Sequence, residues 1–181
     1  MKLADLLEDE MSDLEKVRND PYAIENIENP SLEVQLAAVR GYALTIEYIK
    51  DPSLEVQLAA VRQIGHAIQF IKNPSLEVQV AAVERNPYVI KYIPDPPLEV
   101  QLAAVKQFGS VIQYITNPSE QVQMAAVKNN EYAVRYIKNP SLEVQYFVIS
   151  KNTDLYNFIK NPHRKARYLY ELLSGEMNFE A

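Results

Sequence analysis

Asp51-Pro52-Ser53-Leu54-Glu55-Val56-Gln57-Leu58-Ala59-Ala60-Val61 opens a block that closes on His66-Ala67-Ile68-Gln69-Phe70-Ile71-Lys72, and the same pattern starts again at Asn73. An Asn-Pro or Asp-Pro dipeptide stands at 29, 51, 73, 95, 117, 139 and 161, each step being 22 residues with no insertion or deletion. A phase held over six intervals marks a tandem repeat. The full repeats are 29–50, 51–72, 73–94, 95–116, 117–138 and 139–160. A half-repeat precedes them, because Pro21-Tyr22-Ala23-Ile24-Glu25-Asn26-Ile27 matches Glu131-Tyr132-Ala133-Val134-Arg135-Tyr136-Ile137 in phase.

Within a repeat the opening Asn-Pro-Ser-Leu-Glu-Val-Gln supplies a capping residue, a proline where no amide donor is needed, and good helix formers. The cap is either the Asn/Asp or the serine, and Pro97 in place of that serine favours the Asn/Asp. The closing stretch is apolar at a spacing of three, which suits a short second helix. A hairpin of this size cannot bury its own apolar face, so neighbours must stack. The expected fold is all-α, a right-handed α-solenoid of helical hairpins with a longer first and a short second helix, closed by helical caps. It forms one elongated domain over 1–181: an acidic cap and half-repeat at 1–28, six repeats at 29–160, and a basic cap and frayed tail at 161–181.

Asp51-Pro-Ser-Leu-Glu-Val-Gln-Leu-Ala-Ala-Val61 resembles the D-P-S-x-E-V-R-x-A-A-A opening of HEAT-like repeats. The short period is closer to that of the leucine-rich repeat variant family, whose internal N-P matches Asn86-Pro87. Ala104 to Gly109 also resembles a helical repeat of viral and microbial proteins. The likeness covers residues 19 to 162 and implies a fold, not an activity. Glutamine replaces the family's arginine after valine, and there are no ligands for the cysteine-held cluster of one variant-repeat protein.

On a wheel of about 100° per residue, Leu54, Leu58 and Val61 cluster on one side, Val56 and Ala60 lie opposite, and Glu55 and Arg62 share the solvent direction. Gln57 falls on the mostly apolar side, and its equivalents Gln35, Gln79, Gln101, Gln123 and Gln145 make a ladder. A structural role, bonding the adjacent repeat, is preferred over a groove for a peptide backbone or bases, since an unpaired semi-buried amide costs about 1–3 kcal/mol. Tyr48, Phe70, Tyr92, Tyr114, Tyr136 and Phe158 form a second row, each followed by isoleucine. Rim packing with a wet hydroxyl is preferred there over base stacking. Tyr22, Tyr88 and Tyr132 share a further position with Leu44, His66 and Ser110, and that variability suggests a ligand-facing surface.

Charge follows repeat position. Glu33, Glu55, Glu77, Glu99 and Glu143 fall in the first turn of the first helix and Arg40, Arg62, Lys106 and Lys128 in its last, as the helix dipole favours. Residues 1–28 carry nine acids and three bases against a net charge of −6 for the chain. Leu3, Leu6, Leu7, Leu14 and Val17 give that segment an amphipathic pattern suited to an end cap.

Chemistry is scarce. There is no cysteine, the two histidines are far apart, and the four glycines stand alone. Thiol catalysis, cysteine-held metals and glycine-rich phosphate loops are thereby excluded, and neither catalytic residue, metal nor cofactor is expected. Apolar runs of four residues are too short to cross a bilayer, and acids where a signal peptide needs its apolar stretch point to a cytoplasmic protein. The expected function is a non-enzymatic scaffold, an adaptor or inhibitor, that binds a protein or peptide through His66, Gln69, Tyr88, Lys91, Ser110, Gln113, Tyr132 and Arg135. The alternative is nucleic-acid binding along a basic edge of Lys50, Lys72, Lys138, Lys160, Arg164, Lys165 and Arg167, which the chain's pI of about 5.0 opposes. No membrane partner is expected, and the chain is read as a monomer or weak homo-oligomer.

Overall fold

The computed structural model describes residues 11–175. The expected cap residues Leu3, Leu6 and Leu7, and the tail past Gly175, lie outside the described residues. The chain divides into two compact units, Met1–Ile93 and Pro94–Ala181. In the first, α-helices α1 (Asp13–Asn19), α2 (Leu32–Gly41), α3 (Leu54–Gln63) and α4 (Leu76–Arg85) alternate with 3₁₀ helices η1 (Pro21–Asn26), η2 (Ala43–Tyr48), η3 (Gly65–Phe70) and η4 (Pro87–Tyr92). In the second, α5 (Leu98–Gln107), α6 (Glu120–Asn129), α7 (Leu142–Lys151) and α8 (Arg164–Ser174) alternate with η5 (Gly109–Tyr114), η6 (Glu131–Tyr136) and η7 (Thr153–Phe158). The architecture is thus an all-α tandem repeat of helix and 3₁₀-helix pairs.

The helix start corrects the expected capping residue. Serines 31, 53, 75, 119 and 141 are the N-caps, each hydroxyl accepting from the valine amide three residues on at 3.3–3.4 Å. Asn29, Asp51, Asn73, Asp95, Asn117 and Asn161 instead hold positive φ, between 44 and 56°. That left-handed conformation is one that Asn and Asp enter more readily than other residues with a side chain, and it reverses the chain between repeats. Proline then lies just outside the helix rather than in its first turn. Pro97 keeps the cap's backbone angles (φ −56°, ψ 156°) but offers no hydroxyl, so α5 begins without a side-chain cap. In α1, Ser12 and Glu15 form a reciprocal capping box, and the hydrogen bonds from Ser12 hold the Glu15 carboxyl below its usual pKa.

Each of α1 to α7 ends on an extended residue, such as Ile64 (φ −136°), and a six-residue 3₁₀ helix follows, whereas α8 ends on left-handed Gly175 (φ 76°). With three residues per turn, residues i and i+3 eclipse. Ala67, Ile68 and Ile71 bury one side of η3, leaving His66 and Gln69 together on another. Glycine at the first position of η3 and η5 permits close approach. A Cβ on Gly65 meets the Ala82 carbonyl oxygen at 2.7 Å, and one on Gly109 collides with that of Ala126.

Within each unit, consecutive α-helices pack on one another and so do consecutive 3₁₀ helices. Val56, Leu58, Ala60 and Val61 of α3 are buried, so the helix is covered on two sides. The expected clustering of Leu54 with Leu58 and Val61 does not hold: Leu54 is 47% exposed, and Leu32, Leu76 and Leu98 are similarly open. A helical side chain leans toward the helix N-terminus, so a residue at the first position covers the turn that precedes the helix.

The glutamine ladder is structural, but its common bond lies within the repeat and not, as expected, to the adjacent one. Gln35, Gln57, Gln79, Gln101, Gln123 and Gln145 each donate through Nε2 to the carbonyl of their own repeat's proline, at 2.7–2.9 Å. In the second unit the other end of the amide reaches onward: Gln123 Oε1 accepts from Ser141 N and Gln145 Oε1 from His163 N, both at 2.9 Å. Gln79 Oε1 is buried with no hydrogen-bond partner. A second set of ties joins helix ends. Gln63 Nε2 donates to Arg40 O at 2.9 Å, Arg85 Nε to Gln63 O at 3.1 Å, and Asn129 Nδ2 to Lys106 O at 2.8 Å. These close carbonyls that a helix C-terminus leaves unpaired. The charge rows also meet, Arg18 pairing with Glu33 and Arg62 with Glu77 at 3.8 Å, although such exposed pairs contribute little.

Candidate functional site

The 3₁₀ helices present the chemistry. Their third and fourth residues face the core, while the second, fifth and sixth lie along the outside. Eclipsing at i and i+3 places the expected site residues in pairs: His66 with Gln69, Tyr88 with Lys91, Ser110 with Gln113, and Tyr132 with Arg135. A Gln113 Nε2 to Ser110 O bond of 3.1 Å shows the spacing directly. Tyr22, Tyr48, Tyr88, Tyr92, Tyr114, Tyr132 and Tyr136 each keep 39–47% of their surface exposed. The aromatic row is therefore a half-open rim and not core.

Rings of successive repeats touch within each unit. Tyr22 packs against Tyr42 (centroids 5.5 Å apart) and Tyr48 (6.3 Å), and His66 against Tyr92 (5.8 Å). In the second unit Tyr132 meets Phe158 edge-on at 6.5 Å. Two cations of the candidate set lie on this rim. Lys91 Nζ sits 4.8 Å from the Tyr92 centroid, and Arg135 Cζ is 4.7 Å from Phe158 and 6.0 Å from Tyr136. Removal from solvent, followed by the neighbouring Tyr42, raises the Tyr22 phenol above its ordinary pKa, and the charge of Asp20 adds to the effect.

Two of the expected site residues have structural partners. Asn86 and Asn130 cap η4 and η6 through Oδ1. Their Nδ2 groups reach back to the preceding repeat, Asn86 to His66 Nδ1 at 3.4 Å and Asn130 to Ser110 Oγ at 3.0 Å. Both residues are half-buried. These asparagines were missed as site neighbours, although Asn or Asp immediately before the short helix at 20, 86, 130 and 152 was a readable signal.

The residues of the alternative edge are exposed. Lys50 and Lys72 line a groove of about 470 Å³ with Tyr48, Phe70 and Asp51. Lys138 and Lys160 follow η6 and η7, and Arg164, Lys165 and Arg167 open α8, whose cap is His163 Nδ1 accepting from Lys165 N at 3.2 Å. A shallower groove of about 640 Å³ between α5 and α6 is lined by Leu102, Lys106, Met124 and Lys128, among others. Among the described residues no group of three metal-ligating side chains converges, and no helix is long and apolar enough to cross a membrane. No protein-family model matches the chain, and neither does a curated protein or a solved structure.

Proposed function

We propose that the chain is a non-enzymatic scaffold of HEAT-like, right-handed stacking, which binds a protein or peptide through the exposed edge of its 3₁₀ helices. The observation that carries this reading is the half-open aromatic rim, repeated at one position and punctuated by Lys91 and Arg135. Tyrosine brings a large apolar area at low rotamer cost together with a hydroxyl for water or partner, which is why it concentrates at protein interfaces. A rim needed only for packing would be served by smaller, better buried side chains. His66 and Ser110 contribute to this surface by holding the cap of the next repeat, while Gln69, Tyr88, Lys91, Gln113, Tyr132 and Arg135 supply the contact.

The test begins with affinity capture of a partner from cell lysate. The pairs Tyr88→Ala with Lys91→Ala, and Tyr132→Ala with Arg135→Ala, are then expected to weaken that partner about tenfold or more with melting curves unchanged. Unaltered affinity in both would move the site off this edge.

One observation favours a second reading. Arg164, Lys165 and Arg167 stand at the start of α8, where the helix dipole disfavours cations, so folding does not account for them. Nucleic-acid binding by this end with Lys138 and Lys160 would be lost on nuclease treatment and would fall steeply with salt.

A further inference from the structure

The rim repeats one geometry with different charges, so the chain carries its own comparison. At the fifth position of η4 and η6 stand Lys91 and Arg135, whose cationic groups cover aromatic faces of the rim. At the same position of η1 and η2 stand Glu25 and Glu47, both exposed. Here the rim is densest in tyrosine: Tyr22 lies 5.5 Å from Tyr42, tilted by 40°, and 6.3 Å from Tyr48, tilted by 68°. Three rings thus present differently inclined faces within one cluster, and among the described residues no cation of the chain covers them. Asp20, whose carboxylate caps η1 by accepting from Tyr22 N at 3.0 Å, adds a third acid beside the cluster. Arg18, four residues before Tyr22, is turned to Glu33, and Arg40, two residues before Tyr42, is exposed in the last turn of α2. Lys50 and Lys72 line one groove with Glu47 and Tyr48, but neither ammonium covers a ring of the cluster.

An aromatic face attracts a cation through its quadrupole, and an adjacent carboxylate strengthens that attraction. Where the chain supplies the cation, at Lys91 and Arg135, the rim is self-complementary. Where it supplies glutamate, the rings and the acids together select a cation from outside. We infer that the Tyr22, Tyr42 and Tyr48 cluster, flanked by Glu25 and Glu47, docks an arginine or lysine of a basic segment in a protein partner. The assignment rests on the 3₁₀ edge being the recognition surface and fixes the charge of what its amino-terminal part accepts.

The experiment is fluorescence anisotropy of the full chain with labelled Gly-Ser-Arg, Gly-Ser-Lys and Gly-Ser-Glu triplet peptides at physiological ionic strength. The arginine and lysine peptides are expected to bind and the glutamate peptide not to. Tyr22→Leu and Tyr48→Leu, which keep apolar bulk but remove the π face, should each weaken the arginine peptide about tenfold. Glu25→Gln with Glu47→Gln should weaken it by a similar factor, and Glu84→Gln, at an exposed position of α4, should leave it unchanged. Equal affinity of the wild type and the leucine variants would overturn the assignment, since it would reduce the binding to diffuse acidity; so would failure to bind below millimolar concentration. If a leucine variant melts early, the glutamine pair, on exposed surface, decides in its place. Captured partner that depends on Tyr132 and Arg135 while the basic peptide ignores the tyrosine cluster would sink this assignment and leave the scaffold reading standing.

Discussion

A glutamine amide has a donor end and an acceptor end, and in Gln145 both are used. With only 3% of its surface exposed, it donates to Pro140 O at 2.8 Å and accepts from His163 N at 2.9 Å, tying one repeat's turn to the next helix's start. A valine or leucine there would leave both backbone groups unpaired. Gln145→Ala is therefore expected to cost roughly 2–4 kcal/mol, the penalty for orphaning two buried polar groups. Differential scanning calorimetry should show a melting temperature lowered by several degrees. Gln35→Ala, at a half-buried position, should cost less, and an equal loss at both would contradict this account.

Among the α-helices described here, α5 alone of those starting with the repeat's Leu-Glu-Val-Gln lacks a side-chain cap, because Pro97 stands where four sister helices have serine. Its φ and ψ already match theirs, so Pro97→Ser needs no backbone change. Two effects oppose: the hydroxyl gains a cap worth about 0.5–2 kcal/mol, and losing proline frees the unfolded chain by about 0.4–1 kcal/mol. We expect a small net gain in chemical-denaturation midpoint, and a clear loss would show that the proline's rigidity outweighs the cap. The same site shows what sequence could and could not give. Repeat phase, the helix start and the short second helix were legible because periods of 22 and three are written in residue order. The capping residue was not, since Asn, Asp and Ser all cap helices and only the positive φ of the Asn/Asp separates their roles. Leu54 escaped as well, because a wheel gives direction but not where along the helix burial begins. The tyrosine cluster depends on rings 20 and 26 positions apart, Tyr42 and Tyr48 against Tyr22, which no local pattern reveals.

Within each unit consecutive repeats pack on one another, so the stability of a unit is a sum of repeats and junctions. Removing 119–140 joins Pro118 to Ser141 in register, and the shortened protein is expected to keep its helical circular dichroism per residue while melting earlier. Removing 119–129 breaks the phase and should leave no cooperative transition. Equal melting of the two would mean that the period does not govern folding. The turns joining the repeats have one more property. Asparagine in a positive-φ turn is ordinarily where proteins age, because the next residue's amide nitrogen attacks the side chain and forms a succinimide. In Asn29, Asn73, Asn117 and Asn161 that nitrogen belongs to proline and carries no hydrogen, so the reaction is closed to them. The hinge points most often repeated along the chain are thereby protected from deamidation, and slow chemical damage falls instead on asparagines outside these turns.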